Sequence, residues 1–211
     1  MRQTIIAVSI LFLLTYTLKA QQFNGGVMGG LTVCKVTGSP AGGWKKVGFL
    51  VGGFVNLEIS KNSAFQVELE YIQKGALESG NYAKGITDSY LLRLGYIEMP
   101  FLYQFKVSKW LSFELGPSVN FLLHHYEEIN SAEQVSIPSF RTAGFSINAG
   151  VNIYISDLVY FNFRTNNSLL NIRTGTVTGY VWRFWAYGQY NDIFSFSLFF
   201  RLSKLGKNRP S

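Results

Sequence analysis

Ionisable side chains recur inside otherwise apolar stretches of this sequence, and the carboxylates among them could do chemistry. Glu68 and Glu70 are two residues apart, and Glu98 and Glu114 occupy similar surroundings further along the chain. Two carboxyl groups held close together can act as general acid and general base, or can pass protons or ions along a path. Buried carboxylates must otherwise be paired or protonated, because an isolated buried charge is very costly.

Two adjacent histidines, His124 and His125, are a second candidate for chemistry. They are predicted to lie just past a strand, where a lipid-modifying enzyme could keep a catalytic histidine. Neighbouring side chains of an extended chain point apart, so the pair makes a poor metal chelate. Spacing ties no serine to them as a nucleophile, and triads are recognised by geometry. A pair of loop histidines without a chemical role is therefore the favoured interpretation.

Cys34 is the only cysteine in the chain. An intrachain disulfide and a thiolate metal site are both excluded, because each needs at least two cysteines. Free cysteine usually behaves as a small apolar residue, and we interpret Cys34 in that way at the end of the first strand. We expect neither a metal nor a cofactor.

The segment 64–74 indicates which kind of element positions the carboxylates. Its apolar and polar residues alternate, which is the signature of a β-strand, because successive side chains point to opposite faces. One face suits hydrocarbon and the other carries full charges, and the pattern recurs down the chain. The two faces consist of Phe65, Val67, Leu69 and Tyr71 on one side, and of Gln66, Glu68, Glu70 and Lys74 on the other.

The composition of the 211 residues agrees with such strands in a membrane. Hydrophobic residues make up 47% and charged residues only 15%, whereas soluble domains carry about 25% charged residues. A bundle of membrane helices would need apolar runs of about 20 residues, and none follows the N-terminus. The formal net charge of +7 is scattered rather than clustered, so it does not indicate nucleic-acid binding.

The N-terminus has the pattern of a secretory signal. Arg2 precedes an uncharged, apolar segment, and Ala20 offers the small residue that a cleavage site needs. A retained anchor helix is the alternative, but the apolar segment is short for a membrane span. We predict a signal peptide over residues 1–20 and one barrel domain over residues 21–211.

About eight strands of membrane-spanning length follow, since each needs about 9–11 residues. Outer-membrane barrels have short periplasmic turns and longer external loops, and the connections here alternate long and short. The sequence therefore predicts an all-β fold, an eight-stranded antiparallel up-and-down transmembrane β-barrel in the cell outer membrane, in contact with its lipid. Pro100 predicts a bulge or a locally unpaired site. The predicted strands are 22–34, 47–59, 64–74, 90–107, 110–123, 140–155, 158–170 and 192–204.

The strand faces place a set of charged residues in the barrel interior. An eight-stranded barrel is only wide enough to be filled by side chains or to hold one small ligand. We therefore favour a structural plug over a proton path or an acid–base site. The predicted interior polar network consists of Glu58, Glu68, Glu70, Glu98, Glu114, Arg164 and Arg201.

Four stretches of the sequence resemble the PorT-like outer-membrane β-barrel family. They are the glycine-rich Gly25-Gly26-Val27-Met28-Gly29-Gly30-Leu31, then Gly48-Phe49 at the start of the second strand, Glu68-Leu69-Glu70-Tyr71-Ile72-Gln73-Lys74-Gly75-Ala76, and Leu94-Gly95-Tyr96-Ile97-Glu98-Met99-Pro100. The resemblance implies a small outer-membrane barrel, with an accessory role in protein export by a type IX-like route. It brings no catalytic residues. The basic tail 204–209 departs from the aromatic C-terminus of many such barrels.

These observations favour a non-enzymatic structural or interaction component. We expect a plugged barrel to present its long loops to a protein partner, above all the connection 171–191 with Trp182, Trp185 and Tyr187. The alternatives are a lipid-modifying outer-membrane enzyme that uses His124 or His125, and a barrel that binds a small ligand. No nucleic-acid partner is expected.

Overall fold

The computed structural model describes residues 23–80, 88–134, 139–173 and 181–202. The predicted signal peptide lies outside these residues. The described chain is built from β-strands, because its period-two alternation suits a pleated sheet with two different faces. The strands are β1 (Phe23–Thr37), β2 (Lys46–Glu58), β3 (Ser63–Glu78), β4 (Tyr90–Lys106), β5 (Leu111–Ile129), β6 (Ala132–Glu133), β7 (Ala143–Tyr154), β8 (Val159–Ser168), β9 (Val181–Arg183), β10 (Ala186–Gly188) and β11 (Tyr190–Leu202).

Eight of these strands close into a barrel. Each long strand pairs antiparallel with the next long strand in the chain, and β1 pairs with β11 to close the sheet, from Gly25 opposite Leu202 to Thr37 opposite Tyr190. A closed sheet leaves no edge strand exposed, which is what a barrel in lipid requires. The predicted eight-stranded antiparallel up-and-down barrel is confirmed. Its wall strands are β1, β2, β3, β4, β5, β7, β8 and β11.

The two faces of the wall differ sharply in polarity. In β5, Phe113 and Leu115 are exposed on the outside, whereas Ser112 and Glu114 are buried in the bore. Lipid accepts the apolar outer rows without cost, so the hydrophobic face that would aggregate in water is satisfied in a bilayer. The described residues contain no helix that is long and apolar enough to cross a membrane.

The two ends of the barrel also differ. The connections 59–62, 107–110 and 155–158 are short and lie at the same end as Phe23 and Leu202; we call this the short-turn end. At the opposite, long-loop end, β3, β4 and β5 reach 16, 17 and 19 residues. A tilted strand needs about 9–11 residues to cross a bilayer, so these three strands continue beyond it.

The strand boundaries predicted at the long-loop end are wrong for two of these strands. His124 and His125 lie within β5 rather than in the predicted loop, and Gly75 to Glu78 belong to β3. The polar character of these segments ends the apolar alternation but not the hydrogen bonding, because β3, β4 and β5 keep pairing above the lipid-facing rows. The prediction of loop histidines is therefore wrong.

β4 is irregular at two points. The β3–β4 ladder skips Glu68 and Leu69, which lie opposite Pro100 and Met99, and it resumes without a shift in register. Proline has no N–H to donate, so the unpaired site predicted there is observed. The bulge itself lies elsewhere, between Gly95 and Tyr96 in the pairing of β4 with β5.

Apolar side chains fill the bore toward both of its ends. At the short-turn end, the rings of Tyr160 and Phe199 stack with centroids 4.6 Å apart, and Phe54 packs against Phe199 at 5.2 Å. At the long-loop end, Leu92 and Leu94 belong to the same buried apolar cluster. Aromatic pairs in these geometries stabilise the fold by more than the apolar area that they bury. The polar residues in the middle of the bore therefore have apolar side chains toward both ends.

Candidate functional site

Arg164 of β8 lies at the centre of the bore between two carboxylates. Its Nη1 and Nη2 donate to Glu68 Oε2 and Oε1 of β3 at 2.7 and 2.8 Å, and its Nε donates to Glu114 Oε1 of β5 at 2.7 Å. β3 and β8 are four strands apart in the ring of eight, so this bidentate ion pair spans the bore. The planar guanidinium suits this double contact in a way that lysine would not.

Side-chain amides complete the coordination of the central carboxylate. Glu114 Oε2 accepts from Asn152 Nδ2 at 2.9 Å and from Gln104 Nε2 at 3.0 Å, and its Oε1 accepts from Asn162 Nδ2 at 2.8 Å. A buried ion pair is tolerable only when its remaining lone pairs are satisfied. The amide groups of Asn152, Asn162 and Gln104 on the inner face donate the hydrogen bonds that these lone pairs need.

A second polar cluster lies nearer the long-loop end. Lys74 Nζ of β3 is 2.6 Å from Glu98 Oε2 of β4, and it donates to Asn166 Oδ1 of β8 at 3.0 Å. Asn166 Nδ2 donates in turn to Glu98 Oε1 at 2.6 Å, and Ser118 Oγ donates to the same oxygen. The contact from Lys74 to Asn166 also joins opposite walls, so it is a second crossing of the bore.

Glu70 lies opposite Glu98 on the neighbouring strand, so its register partner is a second carboxyl group. Its side chain is 4% exposed, and its Oε2 accepts no hydrogen bond. A buried carboxylate without a counter-charge is unfavourable unless a proton or an ion neutralises it. The middle of the bore holds the carboxyl groups of Glu68, Glu70, Glu98 and Glu114 against the cations of Lys74 and Arg164.

The structure brings five of the seven predicted interior residues together and leaves two apart. Glu58 is at the short-turn mouth, where its Oε1 lies 3.2 Å from Lys106 Nζ. The guanidinium of Arg201 lies over the rings of Tyr154 and Tyr160 at 5.1 and 5.2 Å, also at this mouth. Both residues are close to strand ends, where a side chain that points inward can still reach water. A cavity of about 930 Å³ opens there.

Sequence reasoning missed a third polar cluster, which covers the long-loop end. Arg173 Nη1 and Nη2 donate to the two oxygens of Glu127 at 2.8 and 2.7 Å, and its Nε donates to Gln189 Oε1 at 2.7 Å. Tyr90 OH donates to the same carboxylate at 2.7 Å. Arg173 lies outside the wall strands, so no periodicity could have placed it. Arg173 itself forms an isolated antiparallel β-bridge with Gln189.

The two histidines contact different parts of the molecule. His124 Nε2 lies 3.0 Å from Tyr71 OH on the outer face, and its ring passes over Gly95. The ring of His125 packs against Phe140 with centroids 5.2 Å apart. The structure therefore gives His124 a tyrosine partner rather than a serine. Among the described residues, no group of three or more His, Cys, Asp or Glu is placed to hold a metal.

Residues 181–188, between β8 and β11, form a separate hairpin of β9 and β10. Trp182 lies opposite Tyr187 in its two-stranded sheet. Its aromatic side chains are between 51% and 69% exposed. We call them the hairpin aromatics: Trp182, Phe184, Trp185 and Tyr187.

Polar contacts hold this hairpin against the barrel. Arg183 donates to both oxygens of Asp192 at 2.6 and 2.9 Å, and Tyr190 OH donates to the carbonyl groups of Arg183 and Ala186 at 3.0 and 2.6 Å. The hydrogen bonds to Asp192 raise the pKa of Arg183 above its usual value. Asp192 belongs to β11, so the hairpin is fixed to the wall itself.

A closed antiparallel sheet with apolar outer rows and a polar, filled bore defines a small integral barrel protein of the outer membrane. The family described as "Outer membrane protein beta-barrel domain" matches residues 19–174. The chain belongs to this family, and its location is the outer membrane.

Two solved structures of bacterial surface barrels are similar in fold. The attachment invasion locus protein Ail of Yersinia pestis is 10% identical, with a TM-score of 0.52 over 86% of this chain and 99% of that one. Neisserial surface protein A is 12% identical, with a TM-score of 0.53 over 86% of this chain and 97% of the other. At these identities the likeness shows the fold alone. No curated protein matches the chain.

Proposed function

We propose that this protein is a non-enzymatic anchoring and interaction component of the outer membrane, which presents the β9–β10 hairpin to a protein partner. The observation that carries this proposal is the group of hairpin aromatics, exposed at the tip of an element that is fixed to the barrel wall. The long-loop end is taken as the external end, in line with the general rule for outer-membrane barrels.

The filled bore supports a role as a rigid support. The contacts from Arg164 to Glu68 and from Lys74 to Asn166 cross it at two levels, and the Arg173–Glu127 pair covers one end. Small barrels of eight strands are usually filled by side chains in this way. These contacts favour anchoring over conduction.

The chemistry of the hairpin supports a protein partner. Tryptophan and tyrosine are enriched at the energetic centres of protein interfaces, because they bury a large area and lose little conformational entropy. Arg183 and Tyr190 anchor the hairpin, so it is already partly ordered before a partner binds and loses less conformational entropy on binding.

Deleting residues 181–188 tests this proposal. We expect the shortened protein to keep the heat-modifiable electrophoretic mobility of a folded barrel and to lose its crosslinked partner in native membranes. The matched control replaces Trp110, which is equally exposed at the opposite end, by serine and should retain the partner. A partner that survives the deletion would show that the hairpin is not the interface.

An accessory role in protein export is the finer form of this proposal, and the resemblance to PorT-like barrels supports it. Cells that lack the protein should then keep inside the proteins that are normally exported. The intact gene should restore export, whereas a gene with the hairpin deletion should not. Normal export in the absence of the protein would remove this role and leave the anchoring role standing.

The alternative function is that of a lipid-modifying enzyme. The observation that favours it is the imidazole of His124, which is exposed on the outer face beside Tyr71. The non-enzymatic proposal expects the double variant His124→Ala, His125→Ala to leave the acylation and phosphorylation of lipid A unchanged in mass spectra. A lost or altered lipid A species in this variant would favour the enzyme.

A further inference from the structure

The wall of the barrel has a break in its pairing at the long-loop end. β2 and β3 are paired only as far as Leu50 opposite Ile72, although β2 continues to Lys46 and β3 to Glu78. The Thr32 hydroxyl of β1 donates instead to the carbonyl of Gln73 at 3.0 Å. The β2–β3 ladder therefore ends at this level, and further up the carboxylate of Glu78 accepts from Gly42 N and pairs with Lys45. A cavity of about 360 Å³ lies at this place, and Lys46 and Gln73 are among the residues that line it.

The lining of this wall cavity comes from both faces of the wall: Lys46, Lys74 and Leu94 are buried on the inner face, and the remaining lining residues belong to the outer face. Gln73, Gly95 and His124 are register partners in one row across β3, β4 and β5, and Arg93 and Tyr126 follow in the next outward row. A Cβ atom at Gly95 would lie 2.2 Å from His124 Nε2, so glycine is needed for the imidazole to lie across β4. Arg93 and His124 are exposed there.

Two cations at the wall cavity lack a carboxylate partner. Lys46 is 8% exposed, and its ammonium donates to the carbonyl of Val47. Within the described part of the chain, neither Lys46 nor Arg93 forms an ion pair. Glu128 also lines the cavity, but it pairs with neither cation in the described part of the chain, and its Oε2 accepts from Tyr126 OH at 2.8 Å. A buried ammonium beside a second cation is unfavourable until an anion joins them.

Apolar side chains continue from the wall cavity toward the membrane. Phe49 of β2 packs against Tyr71 of β3 with ring centroids 5.6 Å apart, and Phe121 and Leu123 of β5 are exposed on the same outer surface. An occupant of the cavity thus meets positive charge and hydrogen-bond donors above a hydrocarbon-facing wall.

We propose that the wall cavity binds the phosphate headgroup of an anionic membrane lipid, in the leaflet at the long-loop end. Arg93 offers a planar fork for phosphate oxygens and Lys46 a compact positive charge, while the imidazole of His124 offers a further donor. The acyl chains lie along the apolar rows below. Basic pockets of membrane proteins at the level of the headgroups bind phospholipids on the same principle.

The test uses diphosphorylated lipid A as the probe and the full mature chain in detergent micelles. We expect native mass spectrometry to show a one-to-one complex, and the variant Lys46→Met, Arg93→Gln to bind at least about tenfold more weakly. The control Lys109→Gln removes an exposed cation at the short-turn end and should bind like the native chain. Heat-modifiable mobility checks that each variant is folded, and the exposed single variant Arg93→Gln replaces the double variant if that one fails to assemble.

Two competitors distinguish a lipid site from a general anion site. Lipid A without phosphate groups should bind as weakly as the double variant does, and inorganic phosphate should not displace the phosphorylated lipid. Equal binding of the dephosphorylated lipid would overturn the headgroup assignment. Displacement by inorganic phosphate would overturn the lipid as the occupant, and unchanged binding in the variants would overturn the site.

Discussion

At the scale of single residues, the interior is organised by which charges have partners. Strand parity predicted that Glu68, Glu98, Glu114 and Arg164 face inward, because alternate side chains share a face. This alternation could not predict their partners, since it does not say which strand lies opposite across the bore or at what level along the barrel axis. The pairing of Arg164 with both Glu68 and Glu114 depends on β8 facing β3 across the bore, which is a property of the closed ring.

Removing the central guanidinium should be strongly destabilising. Arg164→Met leaves Glu68 and Glu114 buried without their cation, and breaking a buried pair in this way costs about 3–5 kcal/mol. Urea unfolding in detergent–lipid mixtures, followed by heat-modifiable mobility, measures the change in the free energy of unfolding. Adding Glu68→Gln to this variant should recover part of the loss, whereas an Arg164→Met protein as stable as the native one would contradict the central pair.

Glu70 should behave in the opposite way to its neighbour Glu68. Glu70→Gln removes a buried carboxyl that has an unsatisfied oxygen, so we expect the free energy of unfolding to stay the same or rise. Glu68→Gln is the matched control and should lower it, because Arg164 loses a bidentate partner. The same unfolding assay compares the two variants. A marked loss of stability in Glu70→Gln alone would show that Glu70 has a partner.

At the scale of elements, the wall strands were predictable and their upper ends were not. The period-two pattern located all eight wall strands, but it stopped at Leu123, whereas β5 continues to Ile129. Above the lipid, hydrogen bonding no longer requires an apolar outer face, so the signal disappears while the strand persists. The β9–β10 hairpin was missed because each of its strands has only three residues, too few for a period to show.

Close packing between β4 and β5 gives a prediction at this scale. A Cβ atom at Gly116 would lie 1.9 Å from the carbonyl oxygen of Phe101, so Gly116→Val must push the two strands apart. We expect a loss of about 1–3 kcal/mol or a failure to fold, measured as the fraction of protein with heat-modifiable mobility. Ala149→Val places the same valine side chain at an exposed outer position and should fold normally. Normal folding of Gly116→Val would contradict the close approach.

At the scale of the whole molecule, the barrel is a layered plug with an anchored hairpin at one end. An aromatic layer of Phe54, Tyr160 and Phe199, the central polar layer and an apolar layer around Leu92 and Leu94 follow one another along the bore. The sequence predicted the polar layer from alternation and the fold from the strand count. The Arg173–Glu127 pair depends on the position of a residue outside the wall strands, which no local pattern encodes.

The ionic conductance of the native protein in planar lipid bilayers tests the filled bore most directly. Insertion is verified by recovering protein with heat-modifiable mobility from the same bilayer-forming vesicles. The account predicts no steady conductance from the native chain. A stable open level in the native protein would contradict it, because two charged bridges and two apolar layers leave no continuous path for hydrated ions.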